Sequence, residues 1–273
     1  MHLFRKNLRH GSFSVWLLLS VGSFGCGHDR SAQRPASPPA AVQPSAAAPT
    51  RLPMEVPPAP QNGSIADLMG EHFTIVSWAR NAVIAGELDA LREPLAALAA
   101  YRYEEVPAGR RLPWVAQLQQ AARLTSEAAK LEVAASGVAT MARVCGECHL
   151  ANHAGPSFPA VANPLERVAA DGVDARMARH LWAAELLWEG ITGPSDVTWY
   201  AGAKTLLEAP DALDERLPEG FDDALLQVRR LGQKAQDAQT LAARADLYGV
   251  LLTTCADCHT RWLARTRNHD DEP

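Results

Sequence analysis

The sequence predicts an all-α protein: two tandem four-helix bundles behind a leader and an unstructured linker. Three observations carry this. Alanine is abundant, aromatic residues make up 6% of the chain, and runs of strand-forming residues are almost absent, a composition that favours helices. Apolar residues recur at the three- and four-residue spacing of a helix face. The second half also repeats the first. Met177 and His180 follow Met69 and His72 by 108 positions, and one five-residue pattern recurs 110 positions on. A repeat this long implies two whole modules rather than a solenoid, and short links between amphipathic helices favour antiparallel bundles.

Residues 1–25 read as a secretory signal, with Arg5, Lys6 and Arg9 ahead of an apolar core from Phe13 to Val21 that is too short to span a bilayer. Ser23 and Gly25 then lead into Cys26. A lone cysteine at this place resembles a bacterial lipoprotein lipidation site, although Ser23 stands where an aliphatic residue is usual. Cleavage after Gly25 by the common signal peptidase is the alternative. Lipidation is preferred because an exported free thiol otherwise lacks a purpose. Residues 26–60 form the linker, rich in Pro, Ala, Ser and Gln and holding roughly half of the chain's 19 prolines. Such a stretch cannot bury a core and predicts an extended tether.

The first module spans 61–150. Ser64 with Asp67 makes a capping-box start, and Ile65, Leu68, Met69, His72, Ile75, Val76 and Ala79 share one helix face up to about Gly86. A second helix runs from Glu87 to Tyr101, softened by Pro94. Pro113 suits the first position of a third, marked by Trp114, Leu118 and Ala121. A break at Ser126 to Lys130 precedes a fourth, Leu131 to Cys148. Residues 151–172 form a turn-rich connector containing Gly155-Pro156-Ser157-Phe158-Pro159. The second module, 173–273, repeats the plan with helices at Leu181–Ile191, Trp199–Leu207, Leu225–Leu231 and Leu241–Leu263.

Each module ends in the same pattern, Cys145-Gly146-Glu147-Cys148-His149 and Cys255-Ala256-Asp257-Cys258-His259. C-x-x-C-H is the attachment signature of c-type haem. Two thiols three residues apart lie on one face of a helix and can form thioethers with the two vinyl groups of one porphyrin. The adjacent imidazole then reaches the iron as proximal ligand. Four of the five cysteines are used in this way. A zinc site would place its two Cys-x-x-Cys halves about 15–20 residues apart and gives no reason for a histidine after each. A thioredoxin-like pair needs strand-helix-strand surroundings, and the flanks here are helical. The expected cofactors are therefore two covalently bound haems c, on Cys145, Cys148, Cys255 and Cys258, with His149 and His259 as proximal ligands.

Each module resembles a class II c-type cytochrome, the cytochrome c-prime group, over residues 64–150 and again 173–265. In that group a four-helix bundle carries C-x-x-C-H near the end of its last helix. The run Leu68-Met69-x-x-His72-Phe73 and the tryptophan opening the third helix, Trp114, are similar to features of the group. The resemblance implies electron transfer or small-ligand binding. In an antiparallel bundle the start of the first helix lies beside the end of the fourth, near the haem, where the distal ligand is chosen. Six-coordinate members use methionine; five-coordinate members leave an apolar side chain there.

Met69 with His72, and Met177 with His180, are three apart and point the same way. Methionine is often a flexible core filler, and a buried histidine without a partner is costly. The preferred distal ligands are His72 and His180, with Met69 and Met177 as the alternative. Methionine raises the potential relative to bis-histidine, and an open site admits nitric oxide or peroxide. His153 reads as a solvent-facing loop residue, Trp182, Trp188 and Trp199 as core, and Glu147 and Asp257 as solvent-facing. Arg261, Arg265 and Arg267 read as a solvated helix end or as propionate partners.

Formal charge is −5, and losing Arg5, Lys6 and Arg9 with the leader leaves −8. That argues against nucleic acid or an anionic bilayer surface as partner. The reading is an exported, periplasmic dihaem cytochrome that exchanges single electrons with redox proteins, touching a membrane only through Cys26. A dihaem peroxidase and a haem-based gas sensor are the alternatives. No acid–base or nucleophilic constellation stands out.

Overall fold

A computed structural model describes residues 64–102, 112–156, 158, 173–208 and 221–270. The leader, Cys26, the linker, most of the connector, and the side chains of Arg265 and Arg267 lie outside the described residues. All the described residues belong to one compact unit, Met54–Pro273. Its regular elements are all helical: α1 (Ile65–Ile84), α2 (Arg92–Ala100), α3 (Leu112–Ser126), α4 (Leu131–Asn152), α5 (Val173–Thr192), α6 (Asp196–Leu207), α7 (Phe221–Gln236) and α8 (Leu241–Asp270). None of these helices is long and apolar enough to cross a membrane.

Helix α1 starts where the sequence places it. Ser64 Oγ accepts from the Asp67 amide, and the Asp67 carboxylate accepts from the Ser64 N–H at 2.8 Å, so two orphan donors are satisfied reciprocally. Leu68, His72, Ile75, Val76 and Ala79 form its buried stripe, and Met69 is half-buried. The second helix departs from expectation. A short 3-10 turn, Leu88–Leu91, comes first, and α2 restarts at Arg92 with Pro94 in its first turn. Pro94 therefore softens nothing, because N–H groups in a first turn have no intrahelical partner to lose. Helix α3 begins at Leu112, one residue before Pro113, and the break before α4 falls at Glu127–Lys130. Helices α4, α5, α7 and α8 all run further than the apolar pattern marks, because their polar ends continue the backbone ladder.

Neighbouring helices pack in sequence, α2 on α3, α3 on α4, α5 on α6, α6 on α7 and α7 on α8, while α1 packs equally on α4 and α8 and α5 packs more on α4 than on α8. The halves are joined along α4 and α8, and further by α4 on α5 and α1 on α8. One hydrophobic core runs through both, from Val76 and Leu95 to Trp199 and Leu252. Small residues permit the α4–α8 approach. A β-carbon on Gly249 would lie 3.3 Å from Ser136 Cα and 3.6 Å from Ala139 Cβ. Gly249 follows Ala139 by 110 positions, so the two helices meet at equivalent points of the repeat.

Trp188 and Trp199 are completely buried, while Trp182 is half-buried. Trp199 Nε1 donates to the Ala235 carbonyl at 2.8 Å, tying α6 to the end of α7. Arg244 lies over the Trp199 ring at 5.3 Å and pairs with Asp196. Replacing Trp199 with alanine removes a large buried ring and one of the two donors to the Ala235 carbonyl, leaving only the Ala238 N–H at 3.3 Å. Trp199→Ala is expected to lower unfolding stability by about 3–5 kcal/mol, read as a shifted urea midpoint with unchanged m-value. A loss below about 1 kcal/mol would show that this contact is not part of the cooperative core.

Candidate functional site

Both Cys-x-x-Cys-His patterns lie on helix, in the last turns of α4 and toward the end of α8. Each pair of thiols is thus one turn apart on one face. All four cysteines are free thiols and half-buried. Burial pushes the thiols of Cys145 and Cys255 up to about 12, and raises that of Cys258 as well. Among the described residues, no three His, Cys, Asp or Glu side chains converge as a metal cluster.

The imidazoles are held by backbone. His149 Nδ1 lies 2.6 Å from the Thr192 carbonyl at the end of α5. A carbonyl only accepts, so Nδ1 is the donor in this contact. His259 lies beside the Ile84 carbonyl at the end of α1, which favours its protonated form, but burial outweighs this and lowers its pKa. Gly155 packs against His149, where an added β-carbon would lie 3.2 Å from the His149 Cβ and Cγ. His153 is not merely a loop residue. It caps α4 in the left-handed region at φ 49°, with its N–H bonded back to Leu150.

The second signature faces a cavity of about 250 Å³. Cys255, Cys258 and His259 form one wall. Met177, His180, Leu181 and Ala184 on α5, Leu225 and Val228 on α7, and Ile84 on α1 form the others. The start of α5 therefore lies opposite the second signature, as expected. His180 and Met177 both reach this cavity, and the geometry does not choose between them. An adjoining cavity of about 180 Å³ shares Ala224, Thr254 and Cys258, and adds Gln227, Asp257 and Arg261. An apolar interior thus grades into a polar rim.

On α1, His72 is buried with 3% exposure and meets the Tyr101 ring edge-on at 5.9 Å. Phe73, next to it, contacts Phe158 at 5.8 Å. Burial lowers the pKa of His72 and of His180 to about 4, and Arg176 adds to the effect at His180. Both imidazoles are neutral at pH 7, the form in which nitrogen binds metal.

Glu147 is not freely solvated, because it is half-buried and pairs with Arg143 one turn back. Asp257 and Arg261 are exposed. Sequence reasoning missed the two carbonyls and a buried polar group between the halves. In that group, Arg80 pairs with Glu185 at 2.7 Å and lies over Trp188 at 5.2 Å. No family model, curated protein or solved structure matches the chain.

The two histidines give the haem-free protein a pH signature. Their folded pKa is below the unfolded 6.5, so between these values the unfolded chain binds protons that the folded chain refuses. Stability should be level above pH 6.5, fall as pH drops toward 4, and level off below. Urea midpoints across this range test it. His72→Gln with His180→Gln should flatten the slope, and an unchanged slope would contradict the assignment.

Proposed function

We propose that this chain is an exported dihaem c-type cytochrome that passes single electrons between periplasmic or membrane-bound redox proteins. Helices α1–α4 and α5–α8 are its two haem modules, and Cys26 is the lipidation site that tethers them through the linker. One observation carries the reading. Each Cys-x-x-Cys-His occupies the closing helix of its half with neutral thiols and a backbone-bonded imidazole, and the second faces an apolar cavity.

The residues fit a covalently held macrocycle. Cys255 and Cys258 open on the cavity from one helical face, suiting thioether bonds to two vinyl groups. The aliphatic walls from Ile84, Leu225 and Val228 suit the flat faces of a porphyrin, and Arg261 on the polar rim suits its carboxylates. When bound, the haem supplies a reversible one-electron iron couple. The chain's own residues orient the ligating imidazoles and exclude water from the inner edge of the ring. His72 and His180, in preference to Met69 and Met177, would be the further residues to hold the iron. Neutral buried imidazoles need no proton removed before they coordinate. No ionisable group is required to move a proton in the transfer.

The cavity beside His259 favours a second reading, small-ligand binding, if no side chain closes the iron. Low-temperature EPR on oxidised protein made with the haem-attachment machinery separates the two. The carrier reading predicts low-spin signals for two haems and no Soret shift when carbon monoxide is added to the reduced protein. His180→Ala should convert one haem to high spin. High-spin signals from both haems in the unaltered chain would overturn six-coordination.

A further inference from the structure

We infer that the two halves complete each other's haem sites: the carbonyl that ends the first helix of each half positions the proximal imidazole of the other. The inference rests on the dihaem reading and extends it from two adjoining modules to one interlocked pair. Thr192 closes α5 in the second half, and its carbonyl takes the Nδ1 proton of His149 in the first. Ile84 closes α1 in the first half and lines one cavity with His259 of the second, its carbonyl beside the ring. Thr192 follows Ile84 by 108 positions, the offset of His180 from His72, and His259 follows His149 by 110. It is one contact made twice with the halves exchanged.

The chemistry gives this contact work to do. A metal-binding histidine commits its other ring N–H to a carbonyl or carboxylate, which fixes the tautomer, sets the ring plane and raises ligand basicity. The last carbonyls of a helix are suited to the task. They have no intrahelical partner, and they carry the negative end of the helix dipole, which favours positive charge developing on the imidazole.

The packing is built to bring them there. A β-carbon on Gly146, inside the first signature, would sit 2.2 Å from the Ile191 carbonyl oxygen, so the end of α5 lies directly on α4. Gly86, just past α1, has φ +76°, and a β-carbon on it would lie 2.4 Å from Thr260 Cγ2, beside His259. Gly193, just past Thr192, is closed in by the Phe158 ring, 2.7 Å from where its β-carbon would be. Each half therefore reaches across to the other's signature through a glycine-lined contact. Thr192 and Ile84 are positioning residues, acting through backbone oxygen.

The test uses full-length chains that keep one signature each. Cys145→Ser with Cys148→Ser leaves only the second haem, and Cys255→Ser with Cys258→Ser leaves only the first. Gly86→Ala, made in the first half, should shift the reduction potential of the second haem, leaving the first unchanged. Gly193→Ala, made in the second half, should do the reverse. Shifts confined to the haem of the substituted half, or no shift in either chain, would overturn the inference. If a glycine variant fails to fold, NMR of the unaltered haem-free chain decides. Slowly exchanging ring N–H resonances of His149 and His259 with cross-peaks to residues 192–193 and 84–85 support it, and their absence overturns it. Failure of haem attachment would instead sink the dihaem reading, while the NMR result still decides the reciprocal contacts.

Discussion

The close crossing of α4 on α8 is the constraint on which the rest of the structure depends. At Gly249 the two backbones approach within reach of a single β-carbon, and only small side chains can stand between them. The alanine content, which first reads as mere helix propensity, acquires a packing role here. Ala134, Ala135, Ala139, Ala142 and Ala245 are all buried on these two helices. Each removes little apolar area from water, but together they let the helices that carry the Cys-x-x-Cys-His patterns lie side by side. Large residues such as Trp188, Trp199 and Tyr248 then supply the area that small ones cannot.

Joining two halves along small residues leaves polar groups to be satisfied between them. Arg80 on α1 is buried at the junction, where it pairs with Glu185 and lies over Trp188. The Trp188 ring in turn packs against Tyr248 at 5.8 Å, and the Tyr248 hydroxyl donates to the Ala184 carbonyl at 3.1 Å. Burial raises the Tyr248 pKa, with the Arg80 charge opposing the shift, so the phenol stays protonated and available as a donor. Such an arrangement adds little net stability, yet removing Glu185 would leave the buried Arg80 charge without its counter-ion, whereas Glu185 keeps access to water. Trp188 stands 108 positions after Arg80. The repeat has thus kept the backbone site and changed the chemistry, placing the cation of one half on the ring of the other.

Much of the fold was legible because it rests on local chemistry. Ser64 and Asp67 announce the start of α1, the stripe from Leu68 to Ala79 announces its buried face, and the break before Leu131 announces α4. The facing of Met177 and His180 with the second signature followed from antiparallel packing. What escaped has no sequence signal. A backbone carbonyl is the same at every residue, so nothing marked Thr192 or Ile84, although the repeat offset puts them in register. Glu147 read as solvent-facing because its partner, Arg143, is an ordinary helix neighbour whose burial depends on packing. Pro94 read as a weak point because its distance from the helix start was misplaced by the intervening 3-10 turn. Arg80 was passed over because a lone arginine in an apolar stripe becomes informative only when the other half arrives.

The central claim is that the two closing helices hold iron porphyrin by covalent bonds, and intact mass under denaturing conditions tests it most directly. Protein made in a host with the haem-attachment machinery should weigh two haems more than its mature polypeptide after acid and organic solvent have removed anything bound without a covalent bond. It should lose one haem mass on Cys145→Ser with Cys148→Ser, and one on Cys255→Ser with Cys258→Ser. A mass equal to the bare polypeptide from the same host would contradict the account.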